Sequence, residues 1–117
     1  MENKRSLGGK KEALAAEYLK GQGAEVLCQN FYFHGGELDI VAKHGEYLCF
    51  IEVKYRRNRE FGYPEEAVTK RKQQKMVQGA RRYLYQNQLS PDTACRFDVV
   101  SIYKGEILWI QDAFQLC

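Results

Sequence analysis

The sequence predicts an α/β layered domain: a central mixed five-stranded sheet flanked by helices, in the order α-β-β-β-α-β-β. Three observations carry that expectation. Short segments rich in β-branched and aromatic residues end at glycine turns, as strands do. Two longer segments repeat their apolar residues at helical spacing. One of these helices falls between the third and fourth strands, and a strand–helix–strand crossover is what makes neighbouring strands parallel.

The first helix is expected over residues 7–22, with Leu14, Ala15, Tyr18 and Leu19 at helical spacing, Ser6 as its N-cap, and Gly21 and Gly23 as stop signals. AEVLCQNFYF then reads as a strand ending at Gly35-Gly36. ELDIVAK and YLCFIEVKY form a hairpin around His44-Gly45. Residues 57–66, with Gly62 and Pro64 among charges, read as a loop. Thr69 caps the second helix, whose stripe is Met76, Val77, Ala80, Tyr83 and Leu84. CRFDVVSIY and EILWIQDAF, joined at Lys104-Gly105, complete the sheet.

At 117 residues the chain fits one domain over 1–117, large enough to bury a core without disulfide or metal staples. It contains no apolar span long enough for a membrane helix, and MENKRSLGGKKE lacks the apolar centre of a secretion signal, so a soluble cytoplasmic protein with no membrane partner is expected. Cys28, Cys49, Cys95 and Cys117 are 21, 46 and 22 residues apart, which suits reduced core thiols better than a zinc site. His34 and His44 fall beside glycines and read as solvated turn residues.

The net charge is only +3, but residues 53–82 hold ten Lys or Arg against three Glu, a local +7 that leaves −4 for the remainder. Such a basic sector is the footprint of a polyanion binder, although a solvated helix face has the same composition.

Within the apolar run YLCFIEV stands one charge, Glu52, followed two places on by Lys54. Alternation puts Asp39 on a face with Glu37, and Glu52 with Phe50 and Lys54. A two-residue turn at His44-Gly45 would set Asp39 opposite Phe50, with Glu52 diagonal to it. A slip by one pair, with 44–47 as the loop, would set Asp39 directly opposite Glu52. Both registers gather Asp39, Glu52 and Lys54. Like charges on adjacent strands repel unless a cation intervenes. A hard divalent ion such as Mg²⁺ accepts carboxylate oxygens and keeps water ligands, and a nearby lysine serves a nucleophile or a pentavalent transition state. These residue types fit phosphodiester hydrolysis. Glu-x-Lys by itself is weak, since Glu2-Asn3-Lys4 has it too, and Glu52 and Lys54 equally fit a structural ion pair.

At GGELDIVAKHG and LCFIEVKYR the chain resembles the PD-(D/E)xK nuclease superfamily, and specifically the YraN-like family related to archaeal Holliday junction resolvases. The similarity extends through GGKKEALAAEYL, NF, the segment from Gly62 to Lys72, and CRFDVVSI. It implies a restriction-endonuclease-like fold and a Mg²⁺ site, with Mn²⁺ as a substitute, in which Asp39 and Glu52 match the metal-binding acids and Lys54 the catalytic lysine. Glu12 matches the first-helix glutamate of the resolvase branch, catalytic and completing the acidic cluster, although Lys11 replaces the usual preceding glycine and Glu17 is a local rival. Tyr55 stands where relatives often carry a small hydroxyl residue.

The resulting expectation is a Mg²⁺-dependent endonuclease on DNA, branched or structured forms included, with Arg56, Arg57, Lys72 and Lys75 neutralising phosphates. A junction-cutting enzyme would need paired sites and hence a homodimer. The alternative is a non-catalytic nucleic-acid-binding or adaptor protein that keeps the fold.

Overall fold

The computed structural model describes residues 4–56 and 68–115, with side chains in the first helix described from Glu12 onward. Arg57, the expected loop at 57–66 and Cys117 lie outside the described residues. The elements are α1 (Lys4–Gly21), β1 (Glu25–Phe33), β2 (Gly36–His44), β3 (Tyr47–Tyr55), α2 (Lys70–Gln86), β4 (Cys95–Tyr103) and β5 (Glu106–Phe114), in the expected order. Among the described residues no helix is long and apolar enough to cross a membrane.

The strands lie side by side in chain order. Three neighbouring pairs are antiparallel, and β3 with β4, joined through α2, is the parallel one. The hairpin between β2 and β3 adopts the slipped register, Lys43 opposite Leu48 and Ile40 opposite Ile51. Its loop is shorter than four residues, because His44 still pairs with Tyr47 and only Gly45 and Glu46 turn. Gly45 takes φ +61°, the left-handed conformation such a turn requires.

Each face of the sheet buries one helix. Met76, Ala80, Tyr83 and Leu84 of α2 pack on Leu38, Val41, Phe50, Phe97 and Val99. Ala15, Ala16 and Leu19 of α1 pack on Ile40, Ala42, Ile51, Val100 and Ile102. The small residues of α1 let it lie close to the sheet, whereas Leu14, expected in its stripe, is 46% exposed. Ser6 does not cap α1, because the helix already begins at Lys4. Thr69 does cap α2, its hydroxyl accepting from the Lys72 amide at 3.2 Å. Gly79 marks the closest approach of α2 to the hairpin: a Cβ there would lie 2.7 Å from Phe33 and 2.8 Å from Leu38.

The burial sets show where simple alternation fails. Leu38 and Val41 belong to the α2 face, while Ile40 and Ala42 belong to the α1 face. Strict period two would put Leu38 and Ile40 together. The break falls at Asp39, and across from it in β1 Asn30 has φ +58°, a left-handed conformation that asparagine tolerates better than most residues.

Candidate functional site

Carboxylates gather where the left-handed Asn30 lies across from Asp39. Glu12 arrives from α1, and Glu37 and Asp39 from either side of Leu38 in β2. One oxygen from each lies within 4.8 Å of the others, a spacing that one hard cation can span. Asn30 bridges two of them: its amide nitrogen donates to Glu12 Oε2 and, at 3.2 Å, to Glu37 Oε1. The left-handed turn at Asn30 thus supplies a donor where two acids would otherwise face each other.

Asp39 is half-buried and accepts one backbone hydrogen bond, from the Val53 amide to Oδ2 at 2.8 Å. That bond ties its carboxylate to β3. Burial first, then the neighbouring Glu52, push its pKa up to about 8, with Glu12 adding to the rise and the Val53 amide and Lys72 opposing it. Glu12 is also raised, by burial and by Glu37 and Glu52. Asp39 and Glu52 are the next residues beyond the Ile40–Ile51 pair on their two strands; Glu52 and Glu12 act on Asp39, and Glu37 acts on Glu52.

Glu52 is not one of the three tightly grouped acids. Its Oε2 lies 3.3 Å from the Lys72 ammonium in the first turn of α2, forming a half-buried ion pair between helix and sheet. Burial raises its pKa, opposed first by Lys72 and then by Lys54. Lys54 is exposed, at the end of β3 where the sheet opens to solvent. The run FIEVK therefore escapes the penalty of burying two charges by leaving the core midway: Ile51 is buried, Glu52 half-buried and Lys54 solvated.

The sequence-predicted residues thus separate into groups. Glu12, Asp39, Glu52 and Lys54 converge on one end of the β2–β3 hairpin, and Glu17 does not, being paired with Lys20 on the exposed side of α1 at 3.4 Å. Lys72 faces Glu52. Lys75 is half-buried on a flank of α2 beside Arg71 and Gln78. Arg56 donates from Nε to Ser101 Oγ at 3.1 Å. Two members of the cluster were missed. Glu37 was visible by its place two residues before Asp39, whereas Asn30, beside Gln29 in β1, carried no distinguishing signal.

A second polar centre lies toward the other end of the sheet. Asp98 of β4 is fully buried and accepts from Arg96 Nε and Nη2, Trp109 Nε1 and the Asp112 amide, each at 2.9 Å. Arg96 Nη2 also lies 3.0 Å from His44 Nδ1. His44 is accordingly not a solvated turn residue; its ring packs on Trp109 with centroids 4.8 Å apart. Cys28, Cys49 and Cys95 are free thiols, with Cys49 buried.

The family described as "Uncharacterised protein family UPF0102" matches residues 11–102. A UPF0102 protein of Lachnoclostridium phytofermentans is 49% identical over 96% of this chain and 95% of its own. Those of Caldicellulosiruptor saccharolyticus and Saccharophagus degradans are 46% and 40% identical, over 91% and 93% of this chain and 92% of each of theirs.

Proposed function

The chain belongs to the UPF0102 family, and for this member we propose a Mg²⁺-dependent endonuclease that hydrolyses phosphodiester bonds of DNA, branched or structured forms included, in the cytoplasm. The observation that carries this reading is Asp39: a carboxylate in β2 pushed up to about 8 by burial and by acidic neighbours, beside the end of β3 that presents Lys54. Acids gathered without enough cations destabilise the fold, and a site that accepts this has a use for the charge. The donors are all oxygens, which suits Mg²⁺, with Mn²⁺ as a substitute.

Asp39, Glu52 and Glu12 would hold the ion, and Asn30, which donates to both Glu12 and Glu37, would fix Glu12 beside them. Bound there, the ion would polarise a phosphodiester and acidify a water. Lys54 reaches the same space from solvent, where its ammonium orients the nucleophile or offsets charge gathering on the phosphoryl oxygens. Arg56, Arg57 and Lys75 would take neighbouring phosphates, contacts that follow the backbone without reading sequence. On a four-way junction two such sites would be needed, hence a symmetric homodimer.

A cleavage panel of duplex, single-stranded, flapped and four-way DNA with Mg²⁺ or Mn²⁺ tests this. Cleavage should vanish in Glu52→Gln and Lys54→Ala while DNA binding persists in Glu52→Gln. Metal-dependent cleavage surviving in purified Glu52→Gln would refute the assignment. The Lys72–Glu52 pair favours one other reading, a non-catalytic nucleic-acid-binding protein in which Glu52 ties helix to sheet. In that case Glu52→Gln loses stability and Mg²⁺ leaves the melting temperature unchanged.

A further inference from the structure

We propose that Lys72 is the built-in competitor of the divalent ion: it occupies Glu52 when the site is empty and turns to a phosphate of the nucleic acid when the ion takes Glu52. The inference rests on the reading of the acidic cluster as an ion site and adds to it a positioning residue that couples ion loading to nucleic-acid binding.

Three features of this chain lead there. Glu12, Glu37 and Asp39 already converge, whereas Glu52 stands apart from that set with its carboxylate drawn 3.3 Å from Lys72. The ammonium is thus the cation that holds the fourth acid aside. Lys72 also reaches from the first turn of α2 to the partly buried carboxylate of Glu52, joining the helix end to the strand that carries the site. Finally, α2 opens on Lys70, Arg71 and Lys72 with no acidic residue in its first turn. Cations at a helix N-terminus oppose the helix dipole, the reverse of the usual arrangement. That end of the helix favours anions, so a lysine released there has a phosphate as its natural next partner.

The charge ledger makes the coupling positive. An arriving divalent ion displaces one lysine charge from Glu52, and the freed ammonium strengthens phosphate binding. Reciprocally, a phosphate that draws Lys72 away leaves Glu52 open to the ion, by the same factor. Removing the ammonium should therefore tighten ion binding to the free protein while weakening the response of DNA binding to the ion.

The test is Mn²⁺ titration calorimetry on the full chain, its Lys72→Ala, Lys72→Gln and Lys72→Arg variants, and Asp39→Asn. Alongside it, stopped-flow anisotropy on a labelled duplex reads binding before cleavage. Mn²⁺ should bind about two- to fivefold more tightly to Lys72→Ala and Lys72→Gln, the range a part-buried ion pair supports. Lys72→Arg should stay near the parent, and Asp39→Asn should lose the site. With Mn²⁺ present, the salt dependence of DNA binding should fall by about one phosphate contact in Lys72→Ala. If Mn²⁺ binds through Asp39 but with unchanged or weaker affinity in Lys72→Ala and Lys72→Gln, this inference fails and the ion site stands. If Asp39→Asn binds Mn²⁺ as the parent does, the ion site fails and the inference falls with it.

Discussion

Two aspartates, Asp39 and Asp98, sit at irregularities of the same sheet, each across from a residue with positive φ: Asn30 at +58° and Asp112 at +55°. Their surroundings are opposite. Asp98 is fully buried, yet an arginine, an indole and the amide of the left-handed residue itself all donate to it. Asp39 is only half-buried, receives one amide, and is ringed by Glu12 and Glu52. The first carboxylate is matched by donors from the chain, whereas the second has one backbone donor against acidic neighbours. Burial alone does not mark a functional acid; the mismatch between charge and partners does.

The largest expected effect lies at the Asp98 centre. Asp98→Asn leaves the Arg96 guanidinium without its counter-charge and should cost about 3–5 kcal/mol of stability, read by chemical denaturation. Trp109, the single tryptophan, donates to Asp98, so its emission should change in the same variant. A loss under about 1 kcal/mol would erase the contrast between the two aspartates.

Asp39→Asn should act in the other direction. Asparagine keeps an oxygen for the Val53 amide and removes the repulsion, so above pH 8 it should stabilise the metal-free protein by about 1–3 kcal/mol. The sign follows from linkage. A folded-state pKa of about 8, against an ordinary 3.8, means that the folded chain holds a proton the unfolded chain has released. The stability this contributes is complete below about pH 4 and is lost as pH rises to about 8. The variant should therefore gain on the parent across that window, measured as melting temperature against pH; parallel curves would contradict it.

The smallest difference separates the two glutamates of α1. Glu12→Gln should relieve part of the same repulsion, by up to about 1 kcal/mol, whereas Glu17→Gln at its exposed pair should change stability by less than about 0.5 kcal/mol. Equal responses would remove the reason for placing Glu12, rather than its neighbour, in the cluster.

The sequence made the elements legible because each strand carries its own composition and turn signals, and because Thr69 stands directly before a helical stripe. It also put Asp39, Glu52 and Lys54 on one face in either hairpin register, and the slipped register makes Asp39 and Glu52 the next residues beyond the Ile40–Ile51 pair. Three things were hidden for physical reasons. Alternation cannot foresee a left-handed residue, so the break at Asn30, and with it the meeting of Glu12 and Glu37 across Asn30, could not be read from spacing. The Lys72–Glu52 pair spans two elements and depends on how α2 docks, which periodicity does not encode. The Asp98 centre lay inside CRFDVVSIY, where Arg96 two places before Asp98 gave no hint of His44 and Trp109 joining them from other strands.

A Mg²⁺ titration of melting temperature, run on the parent and on Asp39→Asn, tests most directly the proposal that the Asp39 centre binds an ion. Ligand that binds only the folded state should raise the parent's melting temperature progressively, on the order of 3 kcal/mol of stabilisation at a hundred times its dissociation constant. Asp39→Asn should start higher at pH 8 and stay flat. If the two proteins respond alike to Mg²⁺, the acidic cluster is not where the ion binds.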